Sequence, residues 1–160
     1  MSIKSLQAEL AKLMIILNRL RYARPQKLQP LVQRQAELVV RDMEKEGYKV
    51  TIFQGFRSFE EQNELYAQGR TKPGAIVTNA IGGDSFHNYG VAVDIVFTVN
   101  GRPSWANNHP WSTLGKIGKK HGFEWGGDWV SFPDRPHLQI LLGYSLEDFK
   151  GNNVDYIKYV

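Results

Sequence analysis

Cysteine is missing from all 160 residues of the chain. Its absence excludes a disulfide framework and every thiolate metal site, so a bound transition metal has only imidazole and carboxylate to hold it. It leaves the compartment open, because a chain without thiols tolerates an oxidising exterior as readily as a reducing interior. Long apolar runs are missing as well. Leu13-Met14-Ile15-Ile16-Leu17 falls far short of the ~18 residues a membrane helix needs. Lys4 stands ahead of it, yet Asn18 and Arg19 follow where a secretory leader carries small residues. The expectation is a chain with no transmembrane segment and no recognisable signal peptide, made in the cytoplasm. Repeats and low-complexity tracts are also lacking, and this length suits a single domain with its own core.

Charge of one sign is only mildly in excess. With 20 Lys and Arg against 16 Asp and Glu, the net charge is +4 and the pI is near 9.3. The basic residues are scattered rather than striped, which argues against a nucleic-acid-binding face. What remains is solubility, or attraction to an anionic surface such as a cell wall.

Residues 2–20 read as a helix, with Ile3, Leu6, Leu10, Leu13, Leu17 and Leu20 in strict heptad spacing. Fewer than three heptads are short for a stable coiled coil, so the helix is expected to dock on its own domain in a monomer. A dimer through the same seam is the alternative. Residues 21–29 form a connector ahead of Pro30. Residues 31–46 read as a second helix with Leu31, Leu38, Val39 and Met43 as its apolar stripe and Gly47 just past its end. A strand is expected over residues 48–56. Ser58-Phe59-Glu60-Glu61 has the capping-box pattern of a third helix, ending near Gln68. Residues 70–84 form a long loop, of a length that is often functional. Next come a strand over residues 91–97, a turn at Asn100-Gly101 and a loop to Pro110. A helix over residues 111–121, a short extended piece over 123–129 broken by Gly126-Gly127 and a strand over 138–142 follow, with a mixed tail. This order predicts an α+β fold: a small, mostly antiparallel sheet flanked by two to four helices, with the N-terminal amphipathic helix as an extra.

The chemistry gathers around residues 84–97. Val91, Val93, Ile95 and Phe97 fall on one face of the strand, and Ala92, Asp94 and Val96 on the other. A lone ionised carboxylate between apolar neighbours is costly unless a partner or a metal meets it. His87 lies upstream of Asp94 across a turn that Gly90 permits. His137 lies on the last strand, with Gln139 on its own face. Together His87, Asp94 and His137 make a His-Asp-His set for one zinc ion. Catalytic zinc takes three protein ligands and keeps a water whose pKa falls to about 7. Asp134, three residues before His137, is placed as the general base, and Asp128 is a more distant alternative. Arg57, after the first strand, suits an oxyanion or a substrate carboxylate. Ser85 suits a supporting hydrogen bond. Gln54, Trp125 and Trp129 complete the candidates for supporting or substrate contacts. On spacing alone the same residues also fit ordinary polar pairs, and Arg57 an ordinary salt bridge. His109, among Asn107 and Asn108, and His121, at a helix end, are not expected as ligands.

Ser85-Phe86-His87-Asn88-Tyr89-Gly90-Val91-Ala92-Val93-Asp94 resembles the S-x-H-x-x-G-x-A-x-D signature of zinc peptidases that cut peptidoglycan stem peptides. That family includes D-alanyl-D-alanine carboxypeptidases and dipeptidases and L-alanyl-D-glutamate endopeptidases. Gly55-Phe56-Arg57-Ser58, Phe123-Glu124-Trp125-Gly126-Gly127-Asp128-Trp129 and Asp134-Arg135-Pro136-His137-Leu138-Gln139 resemble the L-alanyl-D-glutamate branch, found in bacteriophage endolysins and bacterial cell-wall hydrolases. The resemblance covers residues 28–142. It implies that His87, Asp94 and His137 hold the zinc, that Asp134 is the acid/base and that Arg57 stabilises the oxyanion. The D,D-carboxypeptidase relatives carry Glu in E-x-x-H where this chain has Asp134 in D-x-x-H, which favours the endopeptidase branch. Peptidoglycan stem peptides are the implied partner and the bacterial wall the place of action, reached through a separate pore if the source is a phage. Residues 1–27 then form a helix and connector outside the family core, and residues 28–160 the catalytic domain. A D,D-carboxypeptidase on the same zinc site and a non-catalytic, zinc-holding wall-binding module are the competing readings.

Overall fold

In the computed structural model, which describes residues 2–160, those residues form five α-helices and five strands. In chain order they are α1 (Ile3–Tyr22), α2 (Pro30–Lys45), β1 (Val50–Gln54), α3 (Phe59–Ala67), β2 (Ala92–Val99), β3 (Arg102–Ser104), α4 (Trp111–Lys120), β4 (Glu124–Trp125), β5 (His137–Gln139) and α5 (Leu146–Lys150). Short 3-10 turns cover Phe86–Tyr89, Gly126–Asp128 and Tyr156–Tyr159. The sheet runs β1-β2-β5-β4, with β3 also paired to β2, and every pairing is antiparallel. The expected α+β fold, with its small antiparallel sheet, is borne out.

Period-two alternation sets the sheet. Val91, Val93, Ile95 and Phe97 all enter one apolar core, as their shared face requires. That core is closed by Val32, Ala36, Val39 and Met43 of α2, Leu114 of α4, Leu138 of β5 and Phe149 of α5. The stripe of α2 is therefore turned slightly from the expected one: Leu31 is only partly buried, while Val32 and Ala36 are fully buried. Ser58 caps α3 with the reciprocal bonds of a capping box, Glu61 N to Ser58 Oγ at 3.1 Å and Ser58 N to Glu61 Oε2 at 2.7 Å.

Three expectations are corrected. β3 forms where a loop was expected, because the Asn100-Gly101 turn folds Arg102–Ser104 back so that Val99 pairs with Arg102. Pro103 masks the signal, since proline argues against a strand except at an edge. β5 starts at His137 and stops at Gln139, earlier than the apolar residues 138–142 suggested. The largest correction is α1. It was expected to dock, yet it has no buried residue, and Ile3 is 75% and Leu20 68% exposed. The body's own helices already close the core, so the heptad stripe finds no facing surface. An ion pair between Arg21 and Asp155 holds its C-terminal end. The seam stays open, which leaves the self-pairing alternative standing.

Candidate metal centre

β2 and β5 pair so that Asp94 stands opposite His137. His87 reaches the same point from the 3-10 turn ahead of β2. That turn is bound to the loop after β1: Arg57 N donates to His87 O at 3.1 Å, and Asn88 Nδ2 donates to Arg57 O at 2.9 Å and Ser58 O at 3.2 Å. Gly90 ends the turn at φ +68°, and a Cβ there would stand 2.2 Å from Lys27 O. Only glycine fits both demands.

His87 Nε2 lies 3.3 Å and His137 Nδ1 3.4 Å from the same oxygen, Asp94 Oδ1. One donor atom from each residue lies within 4.8 Å of the others. Four ligands about 2.0–2.1 Å from a tetrahedral ion stand about 3.3 Å from one another, which matches two of these separations. His87 Nδ1 faces Gly55 O at 2.8 Å. A carbonyl only accepts, so the proton sits on Nδ1 and the Nε2 lone pair turns to the centre. Asp94 Oδ1 is buried and makes no hydrogen bond. An orphaned carboxylate oxygen beside two imidazoles is what a divalent metal satisfies, and the residues fit one.

The electrostatics follow from burial and neighbours. Burial pushes the Asp94 carboxyl up, but the two imidazoles overcome it and hold the group well below the usual carboxylate range. Burial opposes charge on His137, and the nearby Asp94 carboxylate outweighs it, so its pKa is raised. Asp134 lies in the same groove, and its pKa is raised, first by burial and then by the charge on Asp94. Its placement depends on Gly126, whose carbonyl accepts from Asp134 N at 2.9 Å. A Cβ on Gly126 would stand 2.4 Å from Asp134 O. Arg57 brings Nη2 to 3.9 Å from Asp94 Oδ2, and its burial lowers its pKa against the pull of Asp94.

The groove has a volume of ≈ 970 Å³, room for several residues of a peptide. Ser85 and Trp129 line it, and the Trp129 ring lies 5.1 Å from that of His137. Gln54 and Trp125 do not line it. Gln54 Nε2 turns to Phe56 O at 3.1 Å, and Trp125 Nε1 donates to Arg135 O at 2.7 Å, bracing the segment that carries Asp134. His109 stacks on Phe97 and His121 bonds Asp42, both away from the centre. Asp128 pairs with Lys119 at 2.8 Å, outside the groove. Sequence reasoning missed Gln62. It is fully buried, takes Arg57 Nη1 at 2.8 Å on Oε1 and donates to Ala80 O at 2.8 Å. A polar residue one turn beyond Phe59, on the inward side of a short helix, was the available signal.

Comparison with known proteins gives consistent matches. A family model described as D-alanyl-D-alanine carboxypeptidase matches residues 78–140. The peptidoglycan L-alanyl-D-glutamate endopeptidase CwlK of Bacillus subtilis (strain 168) is 43% identical over an alignment of 126 residues that covers 73% of this chain and 75% of that protein. The L-alanyl-D-glutamate peptidase of Listeria phage A118 is 34% identical over 111 residues, 66% of this chain but 36% of the phage protein. Among solved structures, the L-Ala D-Glu endopeptidase ChiX of Serratia marcescens aligns with a TM-score of 0.55 at 24% identity, over 77% of this chain and 84% of that one, a likeness of fold.

Proposed function

Because the chain belongs to the D-alanyl-D-alanine carboxypeptidase family of metallopeptidases, we propose that it is a zinc peptidase hydrolysing the L-alanyl-D-glutamate bond of peptidoglycan stem peptides. The observation that carries the chemistry is the convergence of His87, Asp94 and His137 on one buried, unpartnered oxygen. The 43% identity to a relative named for that bond supports the choice of substrate. His87 Nε2, Asp94 Oδ1 and His137 Nδ1 would hold one zinc ion, a metal that imidazole and carboxylate ligands suit. When bound, zinc acts as a Lewis acid and brings the pKa of a water into the neutral range.

The chain's own groups do the rest. Asp134 takes the proton from the water that attacks the alanyl carbonyl. Its raised pKa brings it nearer the range in which a general base serves at neutral pH. Arg57, steadied by Gln62 and Asn88, donates to the oxyanion that forms on the alanyl oxygen. The carbon–nitrogen bond then breaks, and Asp134 returns the proton to the leaving amine of D-glutamate. Ser85 and Trp129 border the peptide along the groove. Residues 28–160 form the catalytic unit, with α1 outside it. The net charge of +4 favours an anionic wall as the place of action.

The test is digestion of a defined stem peptide, with products read by mass spectrometry. The expected products are a fragment ending in L-alanine and one beginning with D-glutamate. Release of terminal D-alanine alone contradicts the assignment in favour of a D,D-carboxypeptidase. Wall binding without any soluble fragment contradicts it in favour of a non-catalytic module.

A further inference from the structure

His137 is served by a chain of two further side chains. Its Nε2 lies 2.9 Å from Gln139 Oε1, and Gln139 Nε2 donates to Glu124 Oε2 at 3.0 Å. The sheet builds this line. Gln139 is two residues past His137 and on the same face of β5, and Glu124 is its register partner on β4. Gln139 and His137 are buried, 4% and 6% exposed, whereas Glu124 is exposed.

The order of donors along the line is forced. A carboxylate at neutral pH only accepts, so Glu124 requires the NH2 of Gln139 to face it. The amide oxygen must then face His137. An amide oxygen also only accepts, so His137 carries its proton on Nε2. Its Nδ1 is thereby left with a lone pair, 3.4 Å from Asp94 Oδ1. The reverse amide orientation sets two acceptors against each other at Glu124 and presents NH2 to the imidazole. That favours the other tautomer, whose Nδ1–H points at the metal position and blocks it.

We propose that Glu124 and Gln139 are positioning residues that fix the tautomer of His137 and so set the affinity of the chain for its metal. An exposed carboxylate on β4 thus decides which nitrogen of a buried ligand is free. The β4–β5 register, which sets Glu124 opposite Gln139, thereby acquires a role beyond packing. This inference rests on the metal-centre reading above.

The experiment measures zinc affinity directly, by competition with a chromophoric chelator, on metal-stripped full-length protein. Gln139→Leu removes the acceptor and is expected to weaken zinc binding about 10- to 100-fold. Glu124→Gln is an isosteric change at an exposed position. It is expected to weaken binding by less, with no change in the melting temperature of the metal-stripped protein. The double variant Glu124→Gln/Gln139→Glu places an acceptor-only group against His137 whatever residue 124 does, and is expected to return the affinity towards wild type. Wild-type affinity in both single variants overturns the proposal, as does a double variant no better than Gln139→Leu. If the unaltered chain itself takes up no zinc, the metal-centre reading fails instead.

Discussion

A buried carboxylate is tolerated when something positive faces it, and Asp94 and Asp134, which both line the groove, are faced differently. Asp94 meets two imidazoles and a guanidinium, and its carboxyl stays ionised. Asp134 is buried beside the negative charge of Asp94, and its pKa rises. Environments that push two acids apart in this way suit one as an anionic ligand and the other as a proton carrier. Asp134→Asn should therefore keep its zinc, read by native mass spectrometry, and lose about 10²–10⁴ in kcat. Loss of the metal on this substitution would assign Asp134 to the ligand set instead. Two glycines make predictions of a different kind. Gly90→Ala must adopt a left-handed backbone and meets Lys27 O, so it should lower stability by about 2 kcal/mol or more, seen as a fall in Tm. Gly126→Ala displaces Asp134 O and presses on His137 Cβ at 3.0 Å. The expected result is a folded protein with a lower kcat, measured on the same stem peptide.

At the scale of elements, most of what positions the centre was legible. The alternation of β2 displayed its core face, Ser58 and Glu61 announced α3, and Gly90 marked the turn that brings His87 round. Partners across the fold were not legible. Nothing local to Gln139 names Glu124 as its neighbour, because that depends on the β4–β5 register. The ends of β5 were hidden because its apolar neighbours Ile140 and Leu141 pack on the core without belonging to the strand. One contact between helices makes a pH prediction. Asp42 on α2 accepts from Lys45 at 2.9 Å and lies 2.8 Å from His121 Nε2 at the end of α4. These bonds, that of Lys45 first, hold its carboxyl well below the usual range. A depressed folded pKa adds stability that is complete above the unfolded value of about 3.9 and is lost as pH falls through the folded one. Asp42→Asn should therefore be less stable than the parent in urea at neutral pH. It should also lose less stability than the parent when the pH is taken below about 3.9. Equal urea midpoints for the two proteins at neutral pH contradict this.

On the scale of the whole molecule, the chain divides into a body whose core is closed and a helix that adds nothing to it. The heptad spacing of α1 was plain in the sequence. Its lack of a docking surface was not, because that depends on how completely α2, α4 and α5 cover the sheet. The Arg21–Asp155 pair joins an exposed guanidinium to a buried carboxylate, and a pair this open to water on one side contributes about 1 kcal/mol. Removing residues 1–22 should consequently shift Tm by no more than about 4 °C and leave the rate on a soluble stem peptide unchanged. A collapse of either would place α1 inside the catalytic unit. The claim that joins all three scales is that one zinc ion, held by His87, Asp94 and His137, enables cleavage between L-alanine and D-glutamate. The most direct measurement is a zinc titration of metal-stripped protein, following ions bound per chain and cleavage of the stem peptide together. The expected result is one ion per chain, with cleavage returning in step and reaching its plateau at one equivalent, and neither recovered in Asp94→Asn. Full cleavage by the stripped protein, or unchanged zinc binding in Asp94→Asn, would contradict it.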